Sequence, residues 1–565
     1  MHRLLPYLGA AVSGAAMALA LPLVVPWISL REVDPGGHLE AIAWIALVPA
    51  LAALERARSA RAAAGLGLAA GLAYFFAAIH WVSHAMTAFG GLSLGFSVFA
   101  LTLLVLYMAA HWAGAFAAAW AVERRLGWPL WAQLPFVWAA FEWLRNYLFS
   151  GFPWGNLGYV QARHPHVAQL AAVLGVYGVA ALVVFVNCVA LEAWRAWRGR
   201  RAFPARLLAS AAAALAAVIV FGHLHLARVR ARMAAAPTVR VAVVQPNVSQ
   251  DVKNAARDNA DYILGRLVPL TVEADRAGAD LVAWPEASYP LYVPPGVATF
   301  DVPRAGIPRL SRAHLLLGAS TLEWPAGGRR GVPRLTNSDF MVSPELGVLG
   351  RYTKHHLVPF GEYVPLQRWL PFVGKVVPSL ASASPGSELR VLAFEPRPAV
   401  DHAVGAEPVR IAPMICFDAI FPEIAGDFAR RDPEPDVLAN PTNDAWYGYS
   451  SGPYQFLAIV RMRAIETGKA VVRPAYAGVS AVIWPTGEVA PGAIEVGPVD
   501  PERAPDPDEP PRWLLADVPR LRGRTLYTRM GDTFACACAI FTAAALALAW
   551  RRRPAAAPGD RRPAA

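Results

Sequence analysis

The chain has 565 residues, of which 56% are hydrophobic and only 16% charged, and its formal net charge is +11. One soluble domain is excluded, because a domain averages roughly 150 residues and soluble proteins carry about 25% charged residues. The cations lie in short runs beside apolar stretches, a topology signal and not a phosphate-gripping face, so a nucleic-acid partner is excluded as well.

In chain order, seven apolar segments come first, over residues 4–28, 39–54, 62–82, 92–122, 129–149, 167–193 and 207–224, and an eighth covers 533–550. Each approaches the roughly 20 apolar residues needed to cross a bilayer. Arg56, Arg58 and Arg61 separate the second segment from the third, and Arg124 and Arg125 the fourth from the fifth. Arg195, Arg198, Arg200 and Arg201 separate the sixth from the seventh, and Arg551, Arg552 and Arg553 follow the eighth. If every segment crosses once from a cytoplasmic start, all four clusters fall on one side, and the positive-inside rule makes that side cytoplasmic. A cleaved signal peptide does not fit, since no small-residue cleavage site follows and six further segments do. The spans are almost free of acidic residues, Glu142 excepted, which disfavours a transporter. The expected organisation is a seven-helix transmembrane domain over 1–228, an extracytoplasmic catalytic domain over 237–522, a C-terminal transmembrane helix over 530–552 and a basic cytoplasmic tail over 553–565.

Beyond Pro237 the pattern changes to alternating strands and helices. Strands are expected at 239–244, 280–284, 314–320, 409–415 and 436–440, and helices at 255–277, 419–430 and 454–467, the order of an α/β layered domain. The Pro- and Asp-rich stretch 498–511 reads as a linker returning to the membrane.

Of the four cysteines, Cys188, Cys536 and Cys538 lie in apolar runs, which argues against a disulfide framework. Cys416 closes the strand in "VRIAPMICFDAIFPE"; Glu286 closes another in "LVAWPEAS", and Lys354 stands in "GRYTKHHLVPFGEYVP". A thiol at a strand-to-helix elbow, a carboxylate to take its proton and an ammonium to face an oxyanion make a minimal acyl-transfer set. By spacing alone the three are equally a core thiol, a surface carboxylate and a solvated cation. His355 and His356 find no third ligand at tetrahedral spacing, so a structural or pocket-lining role is expected of them.

The motifs carry more than the spacing. "WPE", "KHHLVPFGEYVP", "ICFD" and "NDAWYG" stand in the order of the carbon–nitrogen hydrolase (nitrilase) superfamily, which this region resembles. With "FEWLRNYLFSGFPWGNLGY" at 141–159 and the apolar frame included, nearly the whole chain resembles the apolipoprotein N-acyltransferase family. The resemblance implies a membrane α-helical bundle of about eight transmembrane helices joined to an αββα sandwich. It implies Glu286 as general base, Lys354 as oxyanion partner and Cys416 as acylated nucleophile, with Glu362 as an accessory carboxylate supporting the lysine. Trp446, Phe417 and Tyr363 fall at positions that line the substrate pocket.

The implied reaction is N-acylation of the diacylglyceryl-cysteine amino terminus of an apolipoprotein, with a phospholipid donor, phosphatidylethanolamine, through a cysteine thioester. The implied location is the bacterial inner membrane, with the catalytic domain periplasmic and both termini cytoplasmic. No metal and no organic cofactor is implied. A membrane-anchored amidase acting on a small soluble substrate is the alternative. Two apolar stretches, 370–380 and 289–295, are expected to be arms resting on the outer leaflet. The chain departs from the family pattern at Asp418 (usually glutamate), at Tyr454 (where histidine is expected) and at Ala475, Tyr476 and Ala477, which lack the usual Asn or Thr.

Overall fold

The computed structural model describes residues 4–25, 28–29, 38–199, 202–302, 305–324, 333–363, 383–397, 407–448, 450–495 and 511–552. The expected arm at 370–380, the basic tail and nearly all of the linker at 498–511 lie outside them.

The apolar segments form helices α1 (Leu5–Ala18), α2 (Val48–Leu54), α3 (Ala60–Ile79), α4 (Leu94–Leu126), α5 (Leu130–Arg145), α6 (Ala171–Trp197) and α7 (Ala205–Ala235). Among the described residues, five helices are long and apolar enough to cross a membrane: α3, α4, α6, α7 and the C-terminal Thr533–Arg551. The other three expected spans are shorter, each for a local reason. After α1 the chain leaves the helix. In the second segment a 3-10 turn (His38–Trp44) precedes α2, whose first turn holds Pro49, and the freed Leu47 amide donates to Asn187 Oδ1 of α6 at 2.8 Å. Helix α5 stops at Arg145 because Phe149, Ser150 and Gly151 all take left-handed conformations (φ 51°, 77° and 77°). Helix α7 runs eleven residues past its expected end at 224, with Ile219, Val220 and Leu224 exposed on its outer face.

Glu142, the acid inside this frame, organises the loop that follows α5. Its Oε1 accepts from Trp138 Nε1 at 3.0 Å and from the Leu157 amide at 2.8 Å, while Arg145 binds Asn156. The motif "FEWLRNYLFSGFPWGNLGY" is thus a helix end folded back on itself. Its Glu142 carboxylate satisfies a buried backbone donor.

The second half builds two sheets. The first contains β1 (Thr238–Gln245), β2 (Leu281–Ala283), β3 (Tyr289–Val293), β4 (His314–Glu323), β5 (Arg334–Val342) and β6 (Val348–Thr353). The second contains β7 (Leu392–Phe394), β8 (Val409–Pro413), β9 (Val437–Ala439), β10 (Ala470–Arg473), β11 (Val479–Ile483) and β12 (Ile494–Glu495). A last strand, β13 (Arg512–Pro519), rejoins the first sheet antiparallel to β1 along its whole length, giving the order β13-β1-β2-β4-β5-β6 with β3 beside β4. The second sheet runs β12-β11-β10-β9-β8-β7.

Alternation along β1 decides the layering. Val239, Val241 and Val243 pack between the sheets with Ile411 and Leu438, whereas Ala242 and Val244 pack under Ile263 and Leu267 of α8 (Ala260–Arg276). Helices α9 (Pro422–Ala429) and α10 (Gly452–Thr467) cover the far side of the second sheet, completing αββα layers. Two buried elements of sequence pattern were missed by alternation alone: β10 and β11 are buried along their whole length, so they show no polar face. The expected arm at 289–295 is corrected. It is strand β3, paired with β4, with Tyr289 and Val293 buried and the Tyr289 hydroxyl bonded to Ala305 O at 3.1 Å.

Helix α10 also touches the membrane helices. Gln455 Oε1 accepts from Trp154 Nε1 at 2.8 Å, and Glu466 Oε1 accepts from the Val176 amide at 2.8 Å. That amide is free because α6 is broken at Gly175 (φ 67°, ψ −179°), a conformation that favours glycine. Helix α11 (Thr533–Arg551) then closes the bundle against α5 and α6.

Candidate active site

Glu286, Lys354 and Cys416 converge between the open ends of the two sheets. Lys354 follows β6 directly, and its Nζ donates to Glu286 Oε1 at 2.9 Å and to Glu362 at 3.0 Å. Glu362 sits in the turn after "VPFG" and is fixed from behind, its Oε2 accepting from the Val358 amide at 2.8 Å. The Cys416 thiol lies close enough to Glu286 and Lys354 for the charge of each to act on it. All three side chains are buried.

Both reacting groups stand at left-handed turns, an unfavourable conformation for residues with a Cβ. Cys416 has φ 46° and is pinned by its own amide to Pro441 O at 2.8 Å and by Asn440 Nδ2 to its carbonyl at 3.2 Å. Ala287, just after Glu286, has φ 44°, and the Glu286 carbonyl accepts from Lys253 Nζ at 2.7 Å.

The electrostatics assign complementary states. Burial would raise the Glu286 carboxyl, but Lys354 and Lys253 hold it below the usual carboxylate range. Burial opposes the Lys354 charge, yet Glu286 and Glu362 keep its pKa well above the ordinary value. Burial, then the Glu286 charge, pushes the Cys416 thiol up to about 12. A resting thiol facing a carboxylate is a nucleophile that needs its base. The strand-to-helix elbow expected at Cys416 is corrected here: the residue opens a five-residue 3-10 turn, and the α-helix starts only at Pro422, so no α-helix dipole acts on the thiol.

Asp418 links the nucleophile's turn to the lysine's. Its carboxylate accepts from the amides of His356 at 2.7 Å and Ile415 at 3.1 Å and from Tyr352 Oη at 2.8 Å. Burial raises its pKa to about 6 against the pull of Lys354. His356 lies on the Phe421 ring at 3.8 Å and meets Ser150 Oγ at 3.3 Å. The expected pocket residues part company. Phe417 lies in an aromatic row with Phe152, which stacks on Trp154, and Trp154 continues to Trp81 and Tyr447. Tyr363 donates to Ser150 Oγ at 3.0 Å, at the seam with the membrane helices. Trp446 is half-buried against Phe89, while its neighbour Tyr447 is the one whose hydroxyl feels the Cys416 charge. Tyr454 is half-buried in the first turn of α10.

Two participants were not anticipated. Asn337 on β5 donates to Glu286 Oε1 at 2.7 Å and to Glu362 Oε1 at 3.4 Å, bridging both carboxylates. Lys253 sits in the short helix Gln250–Asn254 beyond β1. Neither left a local mark: Lys253 lies in a helix eight residues past the end of β1, and Asn337 lies mid-strand.

Comparison with known proteins shows what the chain as a whole is similar to. A family model described as apolipoprotein N-acyltransferase N-terminal domain matches residues 13–189, and one described as carbon-nitrogen hydrolase matches residues 240–497. An apolipoprotein N-acyltransferase of Geobacter metallireducens is 33% identical over 555 residues, covering 97% of this chain and 96% of that one. Its counterpart in Caulobacter vibrioides is 30% identical over 547 residues, covering 93% and 91%. That of Rhizobium meliloti is 34% identical over 430 residues, covering 74% and 75%.

Proposed function

The chain belongs to the apolipoprotein N-acyltransferase family, and on that premise we propose that it N-acylates bacterial lipoproteins through a thioester on Cys416. The observation that carries the reading is the meeting of thiol, carboxylate and ammonium in one buried cluster, beside an aromatic row that begins in the membrane helices.

In the first half-reaction Glu286 takes the Cys416 proton, and the thiolate attacks the sn-1 ester carbonyl of phosphatidylethanolamine. Lys354 faces the tetrahedral oxyanion. Collapse breaks the ester C–O bond, the lysophospholipid alkoxide recovers the proton from Glu286, and the acyl group remains as a thioester. In the second half the free α-amino group of the diacylglyceryl-cysteine attacks that thioester. Glu286 accepts the amine proton and returns it to the departing Cys416 thiolate. Glu362 and Asn337 hold Lys354 and Glu286 in register throughout. Phe417, Phe152 and Trp154 keep water from the thioester, which would otherwise hydrolyse. Trp446 and Tyr363 border the entrance for lipid substrates.

The protein resides in the bacterial inner membrane, held there by its apolar helices. Both termini are cytoplasmic, and residues 237–522 form the periplasmic catalytic domain. The four arginine clusters support that orientation. The test is direct. Purified full-length protein is incubated with phosphatidylethanolamine labelled in its sn-1 chain, and a hydroxylamine-sensitive label is sought on Cys416. Wild type is expected to carry it and Cys416→Ala none; a diacylated lipopeptide then removes it as amide. Release as free fatty acid with no amide would make the protein a hydrolase, and label on another residue would overturn the mechanism.

A further inference from the structure

We infer that Lys253 is a second cation of this site, a positioning residue that anchors Glu286 by its carbonyl and balances the charge of the Cys416 thiolate, with the Tyr476 ring holding it in place. The inference rests on the proposed role of Cys416 as nucleophile.

The geometry comes from three elements. Lys253 Nζ donates to the Glu286 carbonyl at 2.7 Å, at the left-handed turn that aims the carboxylate at the thiol. The same nitrogen lies 4.2 Å from the centroid of the Tyr476 ring. The short helix carrying Lys253 is tied to the loop after the nucleophile, Asn443 Nδ2 donating to Gln250 Oε1 at 2.8 Å. Tyr476 is fully buried, its amide bonded to Thr442 O at 3.0 Å, and its hydroxyl has no hydrogen-bond partner among the described residues. The residue therefore works through its ring face. It is also one of the departures noted in the sequence: where Asn or Thr is usual, this chain puts a surface that favours a desolvated ammonium.

Charge balance gives the pair a task. Glu286 and Glu362 are two carboxylates facing the Lys354 ammonium. Asp339, behind them, is pushed well above the carboxylate range by burial, whereas Asp418 adds a further anion above about pH 6. Transfer of the Cys416 proton to Glu286 leaves three anions, the thiolate, Glu362 and Asp418, against Lys354 alone in a buried pocket, a heavily penalised state. Lys253 supplies the missing positive charge. Burial lowers its pKa to about 8, so the charge is present below that pH and lost above it.

Alkylation of Cys416 by iodoacetamide tests this without any lipid. The full-length protein in detergent is labelled from pH 6 to 10, and the Cys416 peptide is quantified by mass spectrometry. Lys253→Gln retains a hydrogen-bond donor for the Glu286 carbonyl but no charge, and is expected to slow alkylation at pH 7.5 by about tenfold, equivalent to about one unit in the thiol's effective pKa. Lys253→Arg restores the wild-type rate within about threefold and removes the break near pH 8. Tyr476→Leu, which keeps the lysine and removes the ring face, gives an intermediate loss. A Lys253→Gln profile that superimposes on wild type overturns the inference; if that variant does not fold, a Tyr476→Leu profile identical to wild type does so instead. A shifted alkylation profile in a protein that forms no thioester with phospholipid would leave the charge role standing and sink the lipid reading.

Discussion

The carboxylate of Glu362 meets the ammonium of Lys354 at 3.0 Å from a turn outside every strand, eight residues further along the chain. Lys354 thereby stays charged while buried, Glu286 and Glu362 together supporting that charge. Replacing Glu362 with Gln keeps a hydrogen-bonding group and removes the charge. A hydrogen bond to a charged group is worth roughly 1.5–3 kcal/mol, so thioester formation is expected to slow roughly ten- to a hundredfold. Glu286→Gln removes the base itself and is expected to cost about a thousandfold. Single-turnover acylation with labelled phospholipid separates the two; equal losses would mean that Glu362 is itself the base.

Asn337 makes a prediction of its own, because one amide nitrogen serves both carboxylates. Asn337→Asp places a third carboxylate beside Glu286 and Glu362, and Asn337→Ala only removes a donor. Asp is expected to be worse than Ala by about tenfold in the acylation rate, with the gap narrowing in acid. A rate order of Ala below Asp would show that side-chain volume governs this position.

Gly318 of β4 lies directly under the turn that bears Glu286. A Cβ there would fall 2.3 Å from Pro285 O and 2.8 Å from the Ala287 amide nitrogen, both backbone atoms that have little room to move. Gly318→Ala is expected to destabilise the fold by roughly 1–3 kcal/mol and to displace Glu286. The check is a chemical-denaturation midpoint together with acylation rate; an active, equally stable variant would contradict this packing.

Much of this was legible in the sequence, and what was not has identifiable causes. The β-branched run of β1, the layered order and the strand-end residues were all readable, since period-2 patterning and tight elbows leave local marks. Helices α2 and α5 are shorter than the apolar segments that hold them because hydropathy does not register Pro49 or the left-handed run Phe149-Ser150-Gly151. Asn337 escaped because its role depends on pairing between β5 and β6, which brings residue 337 beside 354, a contact that no local window contains.

Glu423 predicts a pH dependence of stability. It sits on α9 at the seam with the membrane helices, bonded to Asn146 Nδ2 at 3.1 Å, and burial followed by the charge of Asp532 raises its pKa to about 8. A carboxyl pKa raised on folding gives stability that is full below the unfolded value and is lost as pH climbs through the folded one. Glu423→Gln mimics the protonated acid. Its melting temperature is expected to match wild type near pH 4, below the ordinary carboxyl value, and to exceed it increasingly up to pH 9. A constant offset across that range would mean that Glu423 does not titrate there.

The carboxylate of Glu466 closes the exposed end of a helix in the bundle, at the Val176 amide, 290 positions earlier in the chain. A ribosome makes and inserts that helix long before residue 466 exists. Until then the amide has only water or lipid headgroups for company, and the break at Gly175 stays unsealed. Final assembly of the bilayer-embedded half must therefore wait for the catalytic half to fold back onto it. Neither half, expressed by itself, can reach the state that the two attain together.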